Sequence, residues 1–175
     1  MNKTPAFAIL FVFLFCGCTM HQPAQLGYSA GFKIVRMTDR TRVYKPGTDT
    51  TNYLHYRPID LDVWYPADTT AKDTALRFGF FLDLFGKRAN YYTASKAGDS
   101  LPEQFAKAFC AGFKCSTPRQ LLSYKTASYK DAKPASGKFP LIVYMTSYNG
   151  MGYENYKLLE EMAKRGYIVV SISSI

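Results

Sequence analysis

The stretch Phe139 to Ile175, FPLIVYMTSYNGMGYENYKLLEEMAKRGYIVVSISSI, decides the fold of this chain. Two short apolar runs, 140–145 and 167–175, enclose a segment with helical periodicity. Neither run alternates apolar with polar residues, which is typical of strands buried on both faces of a parallel sheet. Parallel strands need a crossover connection, so we predict a right-handed β-α-β unit.

The segment between the two runs predicts an amphipathic helix. Its apolar stripe consists of Tyr156, Leu159, Met162 and Ala163. Gly166 follows at the position where a left-handed residue ends many helices. The charged side chains are expected to face away from the stripe; they are Lys157, Glu160, Glu161, Lys164 and Arg165.

The second apolar run reaches Ile175 without a turn or polar residue after it. An uncharged strand rich in β-branched residues requires sheet neighbours and helices on both faces. We therefore expect the N-terminal part of a longer α/β protein, whose last strand lacks partners and which is poorly stable alone.

Composition indicates a globular protein. Of the 175 residues, 47% are hydrophobic and 16% aromatic, which excludes a disordered chain. The formal net charge is +9, which favours anionic partners. The basic residues are scattered and no nucleic-acid-binding motif accompanies them, so we expect no nucleic-acid partner.

Residues 1–18 have the pattern of a targeting segment. Lys3 supplies a positive start, and an uncharged apolar region follows that is too short to span a bilayer. The sequence ending Cys16-Gly17-Cys18 resembles a bacterial lipobox, which would make Cys18 the lipidated residue; Phe15 departs from that pattern. We expect a protein anchored by lipid in the cell envelope, on the periplasmic or surface side, with residues 19–26 as a tether. An ordinary cleaved signal peptide is the alternative.

Cys110 and Cys115 are the two cysteines outside the targeting segment. They could form a local disulfide if the backbone breaks its helix near Gly112, or remain as two small buried side chains. The histidines, His21 and His55, lie far from this pair in sequence and no C-x-x-C spacing occurs, so we expect no metal site.

Two early strands are predicted before the central region. Residues 31–38 form the first, and 57–66, RPIDLDVWYP, alternates clearly and forms the second. We expect the two to pair as antiparallel strands at the edge of the same sheet that the parallel strands extend. Asp60 and Asp62 fall on one face of this strand, where we expect solvated charges rather than an acid-base pair.

Residues 67–138 are interpreted as a long insertion. Residues 76–92 predict an aromatic helix, and Ser100 and Glu103 predict the start of another. Thr117-Pro118 begins a short third helix, and residues 124–137 are predicted to be a polar loop. The aromatic residues either pack on the sheet or form a lid over an apolar ligand.

The loop TSYNGMG, residues 146–152, is the best candidate site. It follows a strand and opens a helix, where open α/β sheets bind ligands. A dinucleotide site would need a third glycine and an acidic residue after the next strand, and neither is present.

The order of these elements resembles the N-terminal half of an α/β-hydrolase, in particular platelet-activating-factor acetylhydrolase-like and dienelactone-hydrolase-like enzymes. Trp64-Tyr65-Pro66 matches their early strand end, Tyr156 matches a tyrosine that opens their helix, and the 166–170 segment GYIVV matches the next strand. Residues 147–150 stand in place of the family's His-Gly-x-Gly. The resemblance covers about 57–66 and 139–175, not the insertion.

The resemblance implies an oxyanion hole built partly by this loop, with the backbone N–H of Asn149 as donor or, alternatively, that of Tyr148. It places the nucleophilic Ser, the Asp and the His after Ile175, since Ser147 and residues 171–174 lie too early in the family's order. We expect an exported, lipid-anchored serine hydrolase of lipid or small-molecule esters, without a cofactor, of which this chain is an inactive portion. The alternative is a non-catalytic, lipid-anchored module that binds an apolar ligand.

Overall fold

A computed structural model of the chain describes residues 27–52, 54–90, 101–113, 117–147 and 150–172. Seven strands are present in this part: β1 (Ser29–Val43), β2 (Tyr56–Asp68), β3 (Ala75–Arg77), β4 (Lys125–Lys130), β5 (Lys133–Pro134), β6 (Leu141–Met145) and β7 (Ile168–Ile172). Four helices accompany them: α1 (Phe78–Ala89), α2 (Leu101–Phe113), α3 (Pro118–Ser123) and α4 (Tyr156–Lys164).

The strands form one mixed sheet in the order β3-β4-β1-β2-β7-β6, with β5 paired to β2. β6 and β7 are parallel and are joined by α4, so the predicted β-α-β unit is confirmed. Gly166 has a φ of 88° just after α4, as expected of a left-handed cap. β1 and β2 form the predicted antiparallel pair.

The insertion contributes strands that the sequence did not predict. β4 lies within residues 124–137, which were predicted to be a loop, and it pairs in parallel with β1 and antiparallel with β3. The strand alternates in burial, but its buried positions are the polar residues Thr126 and Ser128, so the sequence shows no apolar alternation that would predict a strand.

The position of the last strand differs from the prediction that it lacks partners. β7 lies between two neighbours, with Val170 opposite Val63 of β2 on one side and Val143 of β6 on the other. Among the described strands, β6 and β3 are the two edges of the sheet. The prediction was wrong because β2 of the β1–β2 hairpin pairs directly with β7.

One face of the sheet carries the main core. Phe32, Trp64 and Val169 of three adjacent strands pack against Phe81 of α1 and Leu159 of α4, and each of the five side chains is 0% exposed. Aromatic contacts dominate this core: the ring centroids of Phe32 and Trp64 lie 4.8 Å apart, and those of Phe32 and Phe81 lie 5.3 Å apart. The face of the sheet is thus sealed by α1 and α4.

The opposite face is only partly covered. Leu141, Val143 and Met145 of β6 are 62%, 56% and 69% exposed, beside Ile168 and Val170, which are half-buried. The prediction that both parallel strands are buried on two faces is therefore wrong for the described part of the chain. No helix described there has both the length and the apolar character needed to cross a bilayer.

Candidate functional site

The candidate loop leaves β6 at Met145 and reaches α4 through residues 146–155. Thr146 Oγ1 donates a hydrogen bond of 3.2 Å to the carbonyl oxygen of Ile172, which fixes the loop's start to the end of β7. The backbone N–H of Gly150 donates to the carbonyl oxygen of Ser147 at 2.7 Å, closing a tight turn. The loop therefore lies at the carboxyl ends of both parallel strands, where open α/β sheets bind ligands.

The carboxylate of Glu154 accepts hydrogen bonds that stabilise this turn. Its Oε1 accepts from the backbone N–H of Ser147 at 3.2 Å, and its Oε2 accepts from Ser147 Oγ at 3.2 Å. A Cβ added to Gly150 would lie 2.8 Å from both the carbonyl oxygen and Oγ of Ser147 and from Glu154 Oε2. The close approach explains why glycine occupies position 150.

The far end of the loop is fixed to the sheet and to α1. Ser171 Oγ, on a buried residue, donates to the carbonyl oxygen of Gly152 at 2.6 Å. Tyr153 is 2% exposed and stacks on Phe81, with ring centroids 5.2 Å apart. Tyr156, at the first turn of α4, packs on Phe78 at 5.4 Å. These contacts give the loop a fixed base.

The two predicted oxyanion donors, Tyr148 and Asn149, lie outside the described residues, as does the predicted lipidation residue, Cys18. Their roles stay predictions. The described ends of the turn, Ser147 and Gly150, are joined by the 2.7 Å backbone hydrogen bond.

A buried ion cluster lies on the core face of β2, and sequence reasoning misjudged it. Asp62 is 0% exposed and accepts two hydrogen bonds from Arg88 of α1, at 2.7 and 2.8 Å. Asp60 Oδ2 lies 3.3 Å from Arg88 Nε. The prediction of solvated aspartates is wrong, because α1 covers this face. Burial raises the pKa of Asp62, and the Arg88 guanidinium opposes that shift.

Tyr153 also belongs to this buried region. Its hydroxyl has no hydrogen-bond partner within the described residues, and burial raises its pKa, with Arg88 and Asp62 close enough to act on it electrostatically. The ion cluster therefore lies beneath the end of the candidate loop.

The carboxylate of Glu160 is also buried, so the prediction that this side chain faces away from the core is wrong. Glu160 is 4% exposed, and its Oε1 accepts from Ser128 Oγ at 2.6 Å and from the backbone N–H of Ala127 at 2.9 Å. Trp64 Nε1 donates to the same Ser128 Oγ at 3.0 Å. The network joins β2, β4 and α4. Burial raises the pKa of Glu160, while the two hydrogen bonds oppose the shift.

Sequence reasoning missed one match to a nucleophile motif. Residues 27–31 read GYSAG, which fits Gly-x-Ser-x-Gly, with Ser29 at its centre. Ser29 is the first residue of β1 rather than part of a strand-to-helix elbow, and its Oγ is 2.6 Å from Thr69 Oγ1.

The location of Ser29 excludes it from the candidate loop's site. It pairs with Ala67, whereas the carboxyl end of β7 pairs with Leu61, six residues along β2. At the rise of an extended strand, this places Ser29 about 20 Å away, at the opposite end of the sheet. Gly31 has a packing reason to be glycine, since a Cβ there would lie 2.4 Å from the Tyr65 ring.

No serine–histidine pair is formed within the described residues at this loop. His55 lies in the turn between β1 and β2, where its Nδ1 is 2.6 Å from the carbonyl oxygen of Thr48. His21 lies outside the described residues. Within the described residues, the Ser147 hydroxyl donates to the Glu154 carboxylate at 3.2 Å, and no imidazole is placed to accept its proton.

The insertion's aromatic residues serve the core. Phe81 is 0% exposed, and Phe85 of α1 packs on Phe105 of α2 with centroids 5.6 Å apart. Cys110 is disulfide-bonded; Cys115 lies outside the described residues. Thr117 caps α3 as predicted, its Oγ1 accepting from Gln120 N at 3.2 Å. Packing on the sheet, rather than a lid, therefore accounts for α1.

Comparison with known proteins identifies the fold alone. No protein-family model matches the chain, and no curated protein matches it. Among solved structures it is similar to a ferulic acid esterase from Streptomyces cinnamoneus, with a TM-score of 0.53 and 18% sequence identity. The match covers 87% of this chain and 35% of that chain. The architecture is thus a mixed α/β sheet with helices, consistent with part of an α/β-hydrolase-like fold.

Proposed function

We propose that this chain forms the oxyanion side of a serine hydrolase that cleaves carboxylic esters. The strand order β1-β2-β7-β6, with a turn at the carboxyl end of β6 leading into a crossover helix, carries the proposal. In α/β-hydrolases this strand-to-helix loop supplies one backbone N–H to the oxyanion, and the residue after the nucleophile supplies the other. Asn149, or alternatively Tyr148, would be the donor here.

The chemistry assigned to this loop is stabilisation of charge. Attack on an ester carbonyl places negative charge on its oxygen, and a preorganised N–H donor lowers the barrier most when it does not have to move. The hydrogen bonds from Ser147 to Glu154 and from Ser171 to Gly152 support such a fixed geometry. Loss of one donor typically costs roughly 10²–10³ in kcat.

The nucleophile, acid and base are assigned to sequence outside these 175 residues. Ser29 lies at the wrong end of the sheet, and His55 is held in the β1–β2 turn. The exposed apolar side chains Leu141, Val143 and Met145 form a surface that the remaining part of such a domain would cover. The match covers 35% of the esterase chain, which supports assigning the catalytic residues to sequence outside this chain.

The substrate class is an ester of a lipid or a small molecule, and no cofactor takes part in the proposed chemistry. We further propose that Cys18 carries a lipid that holds the protein at the cell-envelope membrane, with residues 19–26 as the tether. The alternative, a non-catalytic module that binds an apolar ligand, would need aromatic side chains of the insertion to line a pocket. Phe81 is instead part of the sheet core.

The test compares two glycine variants of the whole gene product that includes residues 1–175. Gly150→Ala forces the turn to shift, because its Cβ would lie 2.8 Å from Ser147 and Glu154 atoms. We expect kcat for a short-chain aryl ester to fall roughly 100-fold with little change in KM. Gly27→Ala, which meets nothing within 4 Å, is the matched control and should leave kcat unchanged. Equal kcat for both variants, or no ester hydrolysis at all, would contradict the proposal.

A further inference from the structure

The β1–β2 hairpin extends beyond the strands on either side of it. Within the described residues, β1 pairs with β4 only at 30–32, and β2 pairs with β7 only at 61–64. There, residues 36–39 pair with 57–60, and Val43 pairs with Tyr56 after a register shift. We call the described residues 36–52 and 54–57, which include the connecting turn, the ribbon. From Leu61 to Tyr56 it extends roughly 17 Å past β7.

The ribbon projects from the edge of the sheet that carries the candidate loop. Met145 at the end of β6 lies opposite Ile172 at the end of β7, and Ile172 lies opposite Leu61. β2 enters the sheet from the ribbon just before Leu61. The ribbon and residues 146–152 therefore lie at the same end of the molecule.

The tip of the ribbon is held in place by its own hydrogen bonds. The backbone N–H of Tyr44 donates to the carbonyl oxygen of His55 at 2.8 Å, and that of Lys45 donates to Leu54 at 3.1 Å. Asp49 Oδ1 accepts from the backbone N–H of Thr51 at 2.9 Å. The ribbon thus presents a preformed surface, and binding through it would order few additional residues.

The surface of the ribbon combines cationic and exposed apolar side chains. The ribbon contains more basic than acidic residues. The two acidic residues are Asp39 and Asp49, and the five basic residues are Arg36, Arg40, Arg42, Lys45 and Arg57. Arg40, Arg42 and Arg57 are exposed. Met37, Val43 and Tyr44 are 52%, 57% and 42% exposed. Exposed apolar side chains interleaved with cations are typical of surfaces that enter the boundary between lipid headgroups and acyl chains.

We propose that the ribbon docks on the surface of an anionic lipid bilayer. Met37 and Val43 enter the headgroup boundary, and Arg40, Arg42 and Arg57 contact lipid phosphates and carboxylates. An anionic leaflet attracts each such basic side chain, and the attraction corresponds to a roughly five-fold gain in partitioning per residue. A nucleic acid would use the arginines but would leave the apolar side chains exposed to water.

Docking in this way would turn the edge that carries residues 146–152 toward the membrane. Docking through the ribbon depends on the ribbon's geometry and charge and not on ester hydrolysis. A protein without catalytic activity would show the same binding.

The experiment measures binding of the full chain to large unilamellar vesicles of phosphatidylcholine with or without 30% phosphatidylserine (about one anionic lipid in three). The ribbon variant is Arg40→Gln, Arg42→Gln, Arg57→Gln. The matched control, Lys72→Gln, Lys133→Gln, Lys138→Gln, removes the same charge from exposed sites, of which Lys133 lies beside Asp68 at the opposite end of β2. Both variants retain the N-terminal segment, so its contribution is equal in each.

We expect the ribbon variant to lose roughly 100-fold in partitioning to the anionic vesicles, and the control to lose less than about five-fold. Met37→Ser with Val43→Ser should lower binding with all charges intact. Hydrogen exchange of amides in residues 36–57 should slow when the anionic vesicles are added. Equal losses in both charge variants, unchanged exchange of the ribbon, or tighter binding to a short DNA duplex than to the vesicles would overturn the proposal.

Discussion

Arg88 of α1 donates two hydrogen bonds to Asp62 of β2, from Nη1 to Oδ2 at 2.8 Å and from Nη2 to Oδ1 at 2.7 Å. The two side chains are 2% and 0% exposed. The pair fixes the first helix of the insertion to the strand at the centre of the sheet. Because Tyr153 lies close to both groups, the pair also supports the base of the candidate loop.

Removing Arg88 while Asp62 remains should destabilise the fold strongly. Arg88→Met leaves the Asp62 carboxylate buried without its cation, and we expect a loss of about 3–5 kcal/mol in the free energy of unfolding, measured with urea. Arg42→Met removes an exposed ion pair with Asp39, in which the Arg42 side chain is 65% exposed, and should change little. A similar loss in the two variants would show that burial of the pair is unimportant.

Gly31 should be intolerant of a side chain. Gly31→Ala places a Cβ 2.4 Å from the Tyr65 ring, and that ring is held by a 2.7 Å hydrogen bond from its hydroxyl to Ala132. We expect a loss of roughly 1–3 kcal/mol from overpacking. Gly27→Ala in the same GYSAG segment meets nothing within 4 Å and should leave thermal unfolding unchanged. An equal effect of the two substitutions would refute the packing explanation.

Glu160 should make stability depend on pH in a defined direction. Burial raises its pKa above the ordinary 4.5, so the folded protein holds this proton more tightly than the unfolded chain. The stability that it contributes is present below about pH 4.5 and is lost as the pH rises through the folded-state pKa. Glu160→Gln should therefore gain stability relative to the wild type as the pH rises, measured by urea unfolding at several pH values.

Glu161→Gln is the control for that measurement. The hydrogen bond from Lys164 lowers the pKa of Glu161, so its contribution is present above the ordinary value and lost as the pH falls. The two variants should therefore diverge from the wild type in opposite directions. Parallel curves would mean that the Glu160 carboxyl is not perturbed by burial.

Cys18 should determine membrane attachment through lipid. In cells fed radiolabelled palmitate, the wild-type protein should incorporate label and sediment with membranes, and Cys18→Ser should incorporate none. Cys16→Ser should behave like the wild type, since Phe15 precedes Cys16 and Gly17 precedes Cys18. Label retained in Cys18→Ser would show that the lipobox interpretation is wrong.

Local periodicity was sufficient for the elements that pack with their sequence neighbours. The β6-α4-β7 unit, the β1–β2 pair and the cap at Thr117 were predicted because each rests on a pattern within a few residues. The order of the strands in the sheet was harder to predict from the sequence. That β7 lies beside β2 depends on a contact across about one hundred residues, and no local pattern encodes it.

The errors about charged residues have one physical cause. Asp62 alternates with apolar residues and Glu160 lies off the helix stripe, so both patterns predict exposure. Arg88, 26 positions from Asp62, and Ser128, 32 positions from Glu160, bury and bind them instead. A charge whose partner comes from a distant insertion gives no local signal in the sequence.

The central claim is that these 175 residues form the oxyanion side of a serine hydrolase whose nucleophile lies outside them. The most direct test is to react the whole gene product with a fluorophosphonate and to locate the adduct by mass spectrometry. We expect a single labelled serine outside residues 1–175, with labelling slowed by Gly150→Ala and unaffected by Ser29→Ala. An adduct on Ser29 or Ser147, or a protein that takes up no label while hydrolysing esters, would contradict it.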